Sequence, residues 1–421
     1  MVIEILNLDY FLDYEVTNEN GQAVNTKVLD GAEIQDLITS NYKKHKVMYE
    51  RYDRYKGEAP IFDRSFKDPN KINNTLGNDF FGEIIDTKVG YLIGKPINYN
   101  VSEDARQKEK VDKKIKRLKK LNNLHDLNRE AIKMAAITGK VGRLLYVDTD
   151  GYYRIKNINP WQVITIGDKP HEPKRALRYY NTKIKDDKGN LQTRRRVELY
   201  TNELIVYYIE NKDGDLVLDT NKPPKPHMFK KVPLFELINN EEQQGDAEKV
   251  LNLIDAYDRS ISDLNSEIEQ FRIAYMIFLG LDPDTETIEE AKKKGGFAIP
   301  DGEGDIKFLT KDLPADTIEN HLDRLENNIL RFANSVNFSD EQFAGNQSGV
   351  SLQYKLFGLE TKSSSTESKF NKGFMYQFRV LATAWSAENV EFLPIDNLSF
   401  NWTRNLPANI AKEAEQTDLL K

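Results

Sequence analysis

The stretch Asp246–Phe278, DAEKVLNLIDAYDRSISDLNSEIEQFRIAYMIF, carries the strongest pattern in the chain. Val250, Ile254, Tyr257, Ile261, Leu264, Ile268, Phe271 and Tyr275 step by 4, 3, 4, 3, 4, 3 and 4. That spacing sets one apolar stripe along a helix and predicts a rod about 45 Å long if it is continuous. Its exposed faces carry Asp246, Glu248, Asp255, Asp258, Asp263, Glu267 and Glu269 against Lys249 and Arg259. Pro314-Ala315-Asp316 opens a second rod, in which Ile318, Leu322, Leu325, Ile329 and Phe332 step by 4, 3, 4 and 3. Between them, residues 279–313 hold Asp282-Pro283, a short helix near Thr287–Lys293, Gly295-Gly296, and two strand-like runs, Phe297–Pro300 and Ile306–Leu309, joined by Asp301-Gly302-Glu303-Gly304. A compact helix-plus-hairpin module fits those signals, projecting from one end of two helices packed side by side.

Upstream, helices are predicted over 31–56, from Asn78 to Ile93, over 106–120 and over 124–138. From Val141 to Glu210 the period changes to two: Val141–Asp148, Gly151–Asn157, Val163–Ile166, Arg175–Asn181, Thr193–Thr201 and Leu204–Glu210 predict a meandering antiparallel region. Pro223, Pro224 and Pro226 mark a linker, and Val232–Phe235 a short strand leading out of the β region. Downstream of Phe332, a polar loop precedes a long helix running to about Glu388, with Leu352, Leu356, Leu359, Phe370, Phe374, Phe378 and Leu381 on its buried side. Ser363-Ser364-Ser365 weakens it locally and makes a bend plausible there. Val390–Phe392 and Ser399–Trp402 are strand-like, and Arg404–Pro407 leads into a short final helix. The fold class is α+β, mainly helical.

Composition narrows the function. The 421 residues exceed a single small module, and 60 Lys and Arg against 67 Asp and Glu give a net charge of −7, so the chain is not a polycation that coats nucleic acid. No apolar run reaches membrane-spanning length, and Met1–Ile5 does not begin a secretory leader. The absence of Cys removes disulfides, thiolate catalysis and Cys-based zinc modules. The five His, at 45, 125, 171, 227 and 321, are too far apart for a helical metal pair. No cofactor and no resident metal are expected.

Three chemistries have candidate residues in the sequence. Lys108, Lys110, Lys113, Lys114, Lys116, Arg117, Lys119 and Lys120 form a basic run that could contact phosphate, but Val111, Ile115 and Leu118 at 4 and 3 spacing already explain it as an amphipathic helix with a solvated face. Gly295-Gly296 and Gly302 to Gly304 lack the pattern and context of a nucleotide-binding loop and read as turns. Asp255, Asp258 and Asp263 could bind Mg²⁺ for phosphodiester cleavage, but no convergent His or Lys accompanies them. A coiled-coil scaffold or adaptor without a channel is a further reading.

Three motifs then point to a family. The first is Val232-Pro233 and Glu236, Asn239-Asn240-Glu241, Asp246, Glu248, Ile254–Asp258, Ser262-Asp263, Asn265, Phe271 and Ala274-Tyr275. The second is Phe343, Gly345-Asn346, Ser348-Gly349-Val350, Leu352, Tyr354-Lys355-Leu356 and Gly358-Leu359-Glu360. The third is Phe400, Arg404-Asn405-Leu406-Pro407 and Asn409. Together they resemble the portal, or head-to-tail connector, proteins of tailed bacteriophages, in the siphophage-type branch. The order of elements from about residue 30 to 410 is similar as well.

The resemblance implies a portal fold: a wing of residues 1–240, stem helices at 241–278 and 314–336, a small α/β clip at 279–313, a tunnel loop at 337–349, a long wing helix at 350–385, and a C-terminal helical crown at 386–421 that is short beside many relatives. It also implies a non-enzymatic homo-oligomer, a 12-subunit ring at one capsid vertex of the virion, assembled in the host cytoplasm. Its partners would be double-stranded DNA passing through the channel, the terminase large subunit, a head-tail adaptor at the clip, and major capsid and scaffolding proteins at the wing, with no membrane. In the tunnel loop Asp340 and Glu341 would repel phosphate while Gln342, Asn346 and Gln347 offer uncharged hydrogen-bond donors. Asp255, Asp258, Asp263, Glu267 and Glu269 would form an acidic stem, suited to a conduit because Lys or Arg neutralising several phosphates would create binding wells that stall DNA.

Overall fold

The computed structural model describes residues 11–17, 23–68, 71–185, 189–271, 275–279, 286, 305–309, 315–337 and 349–405, and helix outweighs strand among them. The chain divides into two compact units, one of residues 1–56, 81–249 and 330–421, the other of residues 57–80 and 250–329.

The larger unit opens with an antiparallel hairpin of β1 (Phe11–Thr17) and β2 (Ala23–Leu29). Helix α1 (Gly31–Tyr55) starts where the Asp30 carboxylate accepts the Gly31 N–H at 2.6 Å, with Glu33 complementing the dipole of the first turn. Then come α2 (Phe80–Ile93), β3 (Asn98–Val101), α3 (Lys108–Leu121) and α4 (Leu124–Thr138). Gly139 ends α4 at φ +94°, and an added Cβ there would collide with the backbone of Gln243. Both the left-handed conformation and the close approach require glycine.

The β region is two sheets rather than one meander. Strands β4 (Lys140–Val147), β5 (Tyr153–Ile158), β6 (Val163–Ile166), β7 (Arg175–Lys185), β8 (Leu191–Tyr200), β9 (Leu204–Glu210), β10 (Leu216–Leu218), β11 (Lys225–Pro226) and β12 (Leu234–Ile238) run in chain order. One sheet has the order β10-β9-β8-β7-β6, with β11 on β9; the other has the order β12-β4-β5. The expected proline linker is therefore pinned to a sheet at Lys225–Pro226. The expected outgoing strand instead returns to pair with β4, Leu234 opposite Leu144. Its five residues are all buried, which explains why no alternation marked it as part of a sheet. Ile34, Leu37 and Ile38 of α1 cover the larger sheet, packing with Leu177, Val197, Leu199, Val206 and Tyr208. Each such fully buried side chain contributes about 1.5–3 kcal/mol.

The smaller unit corrects the sequence reading of the first rod. Helix α5 covers Leu251–Phe271 and does not continue to Phe278; β13 (Tyr275–Leu279) pairs antiparallel with β14 (Asp305–Leu309). Tyr-Met-Ile-Phe-Leu is apolar at every position, so Tyr275 matched the heptad step by coincidence, while the aromatic and β-branched content favours a strand. The expected hairpin partner, Phe297–Pro300, lies outside the described residues. Helix α6 (Ala315–Phe332) forms as expected, with Leu325 and Ile329 buried. Ile268 and Phe332, assigned to the two seams, are instead 48% and 54% exposed.

The chain then returns to the larger unit with α7 (Gly349–Ala387), unbroken through Ser363-Ser364-Ser365, followed by α8 (Pro394–Asn397) and β15 (Leu398–Asn401). Tyr376 of α7 meets Phe235 of β12 edge-on at 5.1 Å and donates to the Val232 carbonyl at 3.0 Å. Gly373 lets α7 approach, since a Cβ there would overlap Leu237. The described part of the expected crown belongs to this unit: β15 pairs with β3, and Phe400 packs with Tyr99, Phe374 and Phe378. Val390–Phe392 is not a strand.

Candidate functional site

Two constellations stand out, one in each unit. In the larger unit, Lys88 of α2 is fully buried, and its ammonium reaches Asp246 at 2.9 Å, Asn239 Oδ1 at 2.8 Å and Thr366 Oγ1 at 2.6 Å. Thr366 in turn donates to Asn239 Oδ1 at 3.0 Å, and Asn239 Nδ2 donates to Asp246 at 3.0 Å. Lys362, one helical turn before Thr366 on α7, stands 3.5 Å from the same carboxylate and donates to the Ala333 carbonyl at 2.8 Å, just beyond the end of α6. Two ammonium groups thus share one buried carboxylate.

Burial pushes the Lys88 ammonium down to about 8, opposed by Asp246 and assisted by Lys362. Lys362 is also lowered, again chiefly by burial. The two lysines hold Asp246 below the usual carboxylate range despite a burial penalty that acts the other way. Ser363 and Thr366 are buried against the larger unit, while Ser364 and Ser365 are exposed, so of the serine run Ser363 alone faces inward.

A turn further along, Arg404 clamps Glu360 through two 2.8 Å hydrogen bonds and reaches Glu367 at 2.8 Å, while the Tyr91 hydroxyl donates to Glu360 at 2.7 Å. The Arg404 hydrogen bond is the largest cause holding the Glu360 carboxyl below its ordinary value. The Asn405 N–H donates to the Tyr91 carbonyl at 3.0 Å. Asn240 closes its own loop, accepting the Gln244 N–H and donating to the Gln244 carbonyl, each at 2.8 Å. Residues scattered over all three sequence motifs therefore converge on Lys88 and Tyr91 of α2 and on the stretch Glu360–Glu367 of α7. The sequence reading singled them out as signatures but missed Lys88 and Lys362, since one lysine among 60 basic residues carries no mark of burial.

In the smaller unit, the acidic positions of α5 differ in environment. Asp258 is buried at 1% exposure, correcting its placement on an exposed face: its Oδ1 accepts both the backbone N–H and the side-chain amide of Asn78 at 2.9 Å. Asp263 pairs with Arg64 at 2.6 Å and stays 66% exposed. Glu269 accepts from Asn74 Nδ2 at 2.7 Å and is exposed, while Asp255 and Glu267 are half-buried. Ser262 and Ser266 add hydrogen bonds from Leu76 and Asn74, and Phe80 stacks edge-on to Tyr257 at 5.0 Å. Segment 64–80 thus covers one side of α5. Asp255, Asp258 and Asp263 do not converge, and among the described residues no group of three His, Asp or Glu could hold a metal ion. Asp340, Glu341, Gln342, Asn346 and Gln347 lie outside the described residues.

A cleft of about 530 Å³ in the larger unit is lined by Lys43, Lys44, Arg51, Lys140, Glu241 and Glu248. Its histidine, His45, is buried against the Tyr179 hydroxyl, and burial followed by Lys140 and Lys44 lowers it to about 4, well away from the range of a general base at neutral pH.

Residues 35–421 match the family of phage portal proteins described as SPP1 Gp6-like. The chain belongs to this family. The portal protein of Bacillus phage SPP1 is 25% identical over 353 residues, covering 80% of this chain and 68% of that one. The portal protein of Clostridium phage phiCD119 is 22% identical over 410 residues, covering 92% of this chain and 86% of the relative. Within a portal family chain, the Lys88–Asp246–Lys362 network acquires a place: Asp246 lies just before α5 and Ala333 just after α6, the two helices that the sequence reading assigns to the stem. No helix among the described residues is long and apolar enough to cross a membrane.

Proposed function

We propose that the chain is the subunit of a twelve-membered ring at one capsid vertex, through which double-stranded DNA enters during packaging and leaves during ejection. Membership of the portal family over residues 35–421 is the observation that carries this reading. In it the wing is residues 1–240 with the helix at 350–385, the stem 241–278 and 314–336, the clip 279–313, the tunnel loop 337–349 and the crown 386–421. The terminase large subunit and then a head-tail adaptor dock at the clip, and major capsid and scaffolding proteins meet the wing. The role is structural; ATP hydrolysis belongs to the separate terminase, in keeping with a sequence that lacks a nucleotide-binding loop.

The acidic residues Asp255, Asp263, Glu267 and Glu269 supply negative charge to the stem, and Asp340, Glu341, Gln342, Asn346 and Gln347 face the DNA from the tunnel loop. A conduit lined this way keeps phosphates from settling into salt-dependent wells. Asp258 serves instead to anchor Asn78. Native mass spectrometry of the purified chain is expected to give a closed ring of about twelve subunits, joined by two different complementary faces per subunit. An axial image should show a central hole that admits a duplex. A stable monomer at micromolar concentration, or an oligomer with no hole, would sink the proposal.

A further inference from the structure

The conduit role gives no task to the basic helix α3. Its apolar residues Val111, Ile115 and Leu118 are buried as their spacing predicts. At 100° per residue, Lys110, Lys113, Lys116, Arg117 and Lys120 fall within an arc of about 120° on the opposite side. All five are exposed.

The other cations of this segment are engaged. Lys114 pairs with Glu388 at 2.6 Å, Arg106 with Glu391 at 2.5 Å, and Lys108 with Glu103. Lys119 lies 5.5 Å from the Tyr99 ring. On the outer arc Arg117 stacks over Tyr152 at 4.7 Å. Lys110, Lys113, Lys116 and Lys120, in contrast, stand in none of the ion pairs of the described residues, and the one carboxylate within their arc is the exposed Glu109. Four like charges a turn apart repel one another by a few tenths of a kcal/mol per pair, Glu109 offsets this only beside Lys113, and an external anion would relieve the net positive arc.

We propose that this outer face of α3 binds the phosphate backbone of duplex DNA, outside the channel and without reading sequence. From Lys110 to Lys120 the row is about 15 Å long, enough to meet a few successive phosphates of one strand. The chemistry favours DNA over an acidic protein. Protein interfaces are depleted in Lys and rely on buried aromatic or apolar anchors, and this arc contains neither. Lysine ammoniums are point charges suited to phosphate rather than to bidentate base readout, and the arc presents no free aromatic face for stacking on single strands. The face would tether genome lying against the outside of the portal, while the acidic stem leaves DNA in the channel free to move. The inference rests on the conduit reading only for the identity of the polyanion.

A covalently closed DNA minicircle, which cannot thread a channel, is the probe. Its binding to the assembled full-length chain is measured by fluorescence anisotropy between 50 and 200 mM KCl. The triple variant Lys113→Gln/Lys116→Gln/Lys120→Gln retains helix-favouring residues. It is expected to lose at least about tenfold in affinity and to flatten the slope of log K against log salt by about 2.7, or 0.9 for each contact removed. A control, Lys95→Gln/Lys169→Gln/Lys225→Gln, removes the same charge from exposed positions elsewhere and is expected to bind like the parent. Unchanged binding by the α3 variant, equal loss in the control, or displacement of the minicircle by polyglutamate at equal charge would each overturn the inference. Native mass spectrometry of the same samples reports the ring independently, so failure of the conduit reading is seen separately.

Discussion

Replacing Asp246 with Asn keeps the shape of the buried network and removes the carboxylate that two lysines share. At an effective dielectric of about 20, a charge pair at the Lys88 distance of 2.9 Å is worth about 6 kcal/mol and one at the Lys362 distance of 3.5 Å about 5 kcal/mol. The loss is smaller than that sum, because a buried lysine deprived of its counter-ion sheds its proton. Lys88 already sits at about 8, so neutralising it near pH 7 costs about 1.4 kcal/mol for each unit between. Measured cases of breaking a buried pair bracket the outcome at about 3–5 kcal/mol, and Asp246→Asn is expected in that range. Urea unfolding followed by circular dichroism at pH 7, with protomer concentration held fixed because assembly adds to stability, gives the number. In the variant, stability should also recover as the pH rises from 7 toward 9 and the lysines lose their charge. A change under 0.5 kcal/mol with no added pH dependence would refute the view that Asp246 is the counter-ion of this core.

The other predictions follow from single contacts. Lys88 is lowered from 10.5 to about 8, so between those values the unfolded chain binds more protons and stability rises with pH. The stability of the parent relative to Lys88→Met should therefore increase from pH 8 to pH 10 in paired denaturant titrations, and a flat difference would contradict the assigned shift. Asp258→Ala removes the acceptor of two Asn78 hydrogen bonds and should cost about 1–3 kcal/mol, with hydrogen exchange at residues 74–78 accelerating first. Gly373→Val puts a branched side chain onto Leu237 and should lower stability by about 1–3 kcal/mol or more, whereas Gly151→Ala, where nothing lies within 4 Å, should cost only the strain of its φ of +79°. Thermal unfolding scans separate the two glycine variants.

Local periodicity made much of the fold legible. Helices α1 to α4 and strands β6 and β9 follow from the period of their apolar residues. The errors arose where composition alone was ambiguous. Tyr275–Leu279 satisfies a heptad and a strand equally, and the pairing with Asp305–Leu309 that decides between them is not local. The β12–β4 pairing spans about 90 residues of sequence and leaves no local signature, so two sheets read as one. The acidic character of α5 was visible, but exposure was not: Asp258 is taken up by Asn78, 180 residues earlier in the chain. For the same reason the motifs were legible as a resemblance, while the buried network around Asn239 and Asp246 and the separate Arg404–Glu360 clamp were not.

The closure of α7 on β12 has a consequence for synthesis. Phe235 and Leu237 emerge from the ribosome some 140 residues before Gly373 and Tyr376, which cover them. At about 5–20 residues per second that interval lasts roughly 7–30 s. Throughout it the face that Gly373 and Tyr376 will cover waits for its helix, and residues 250–329, which complete the smaller unit, are made in the same interval. Nascent chains on neighbouring ribosomes would therefore meet with this face open, and the order of synthesis makes α7 the last element to close the larger unit over β12.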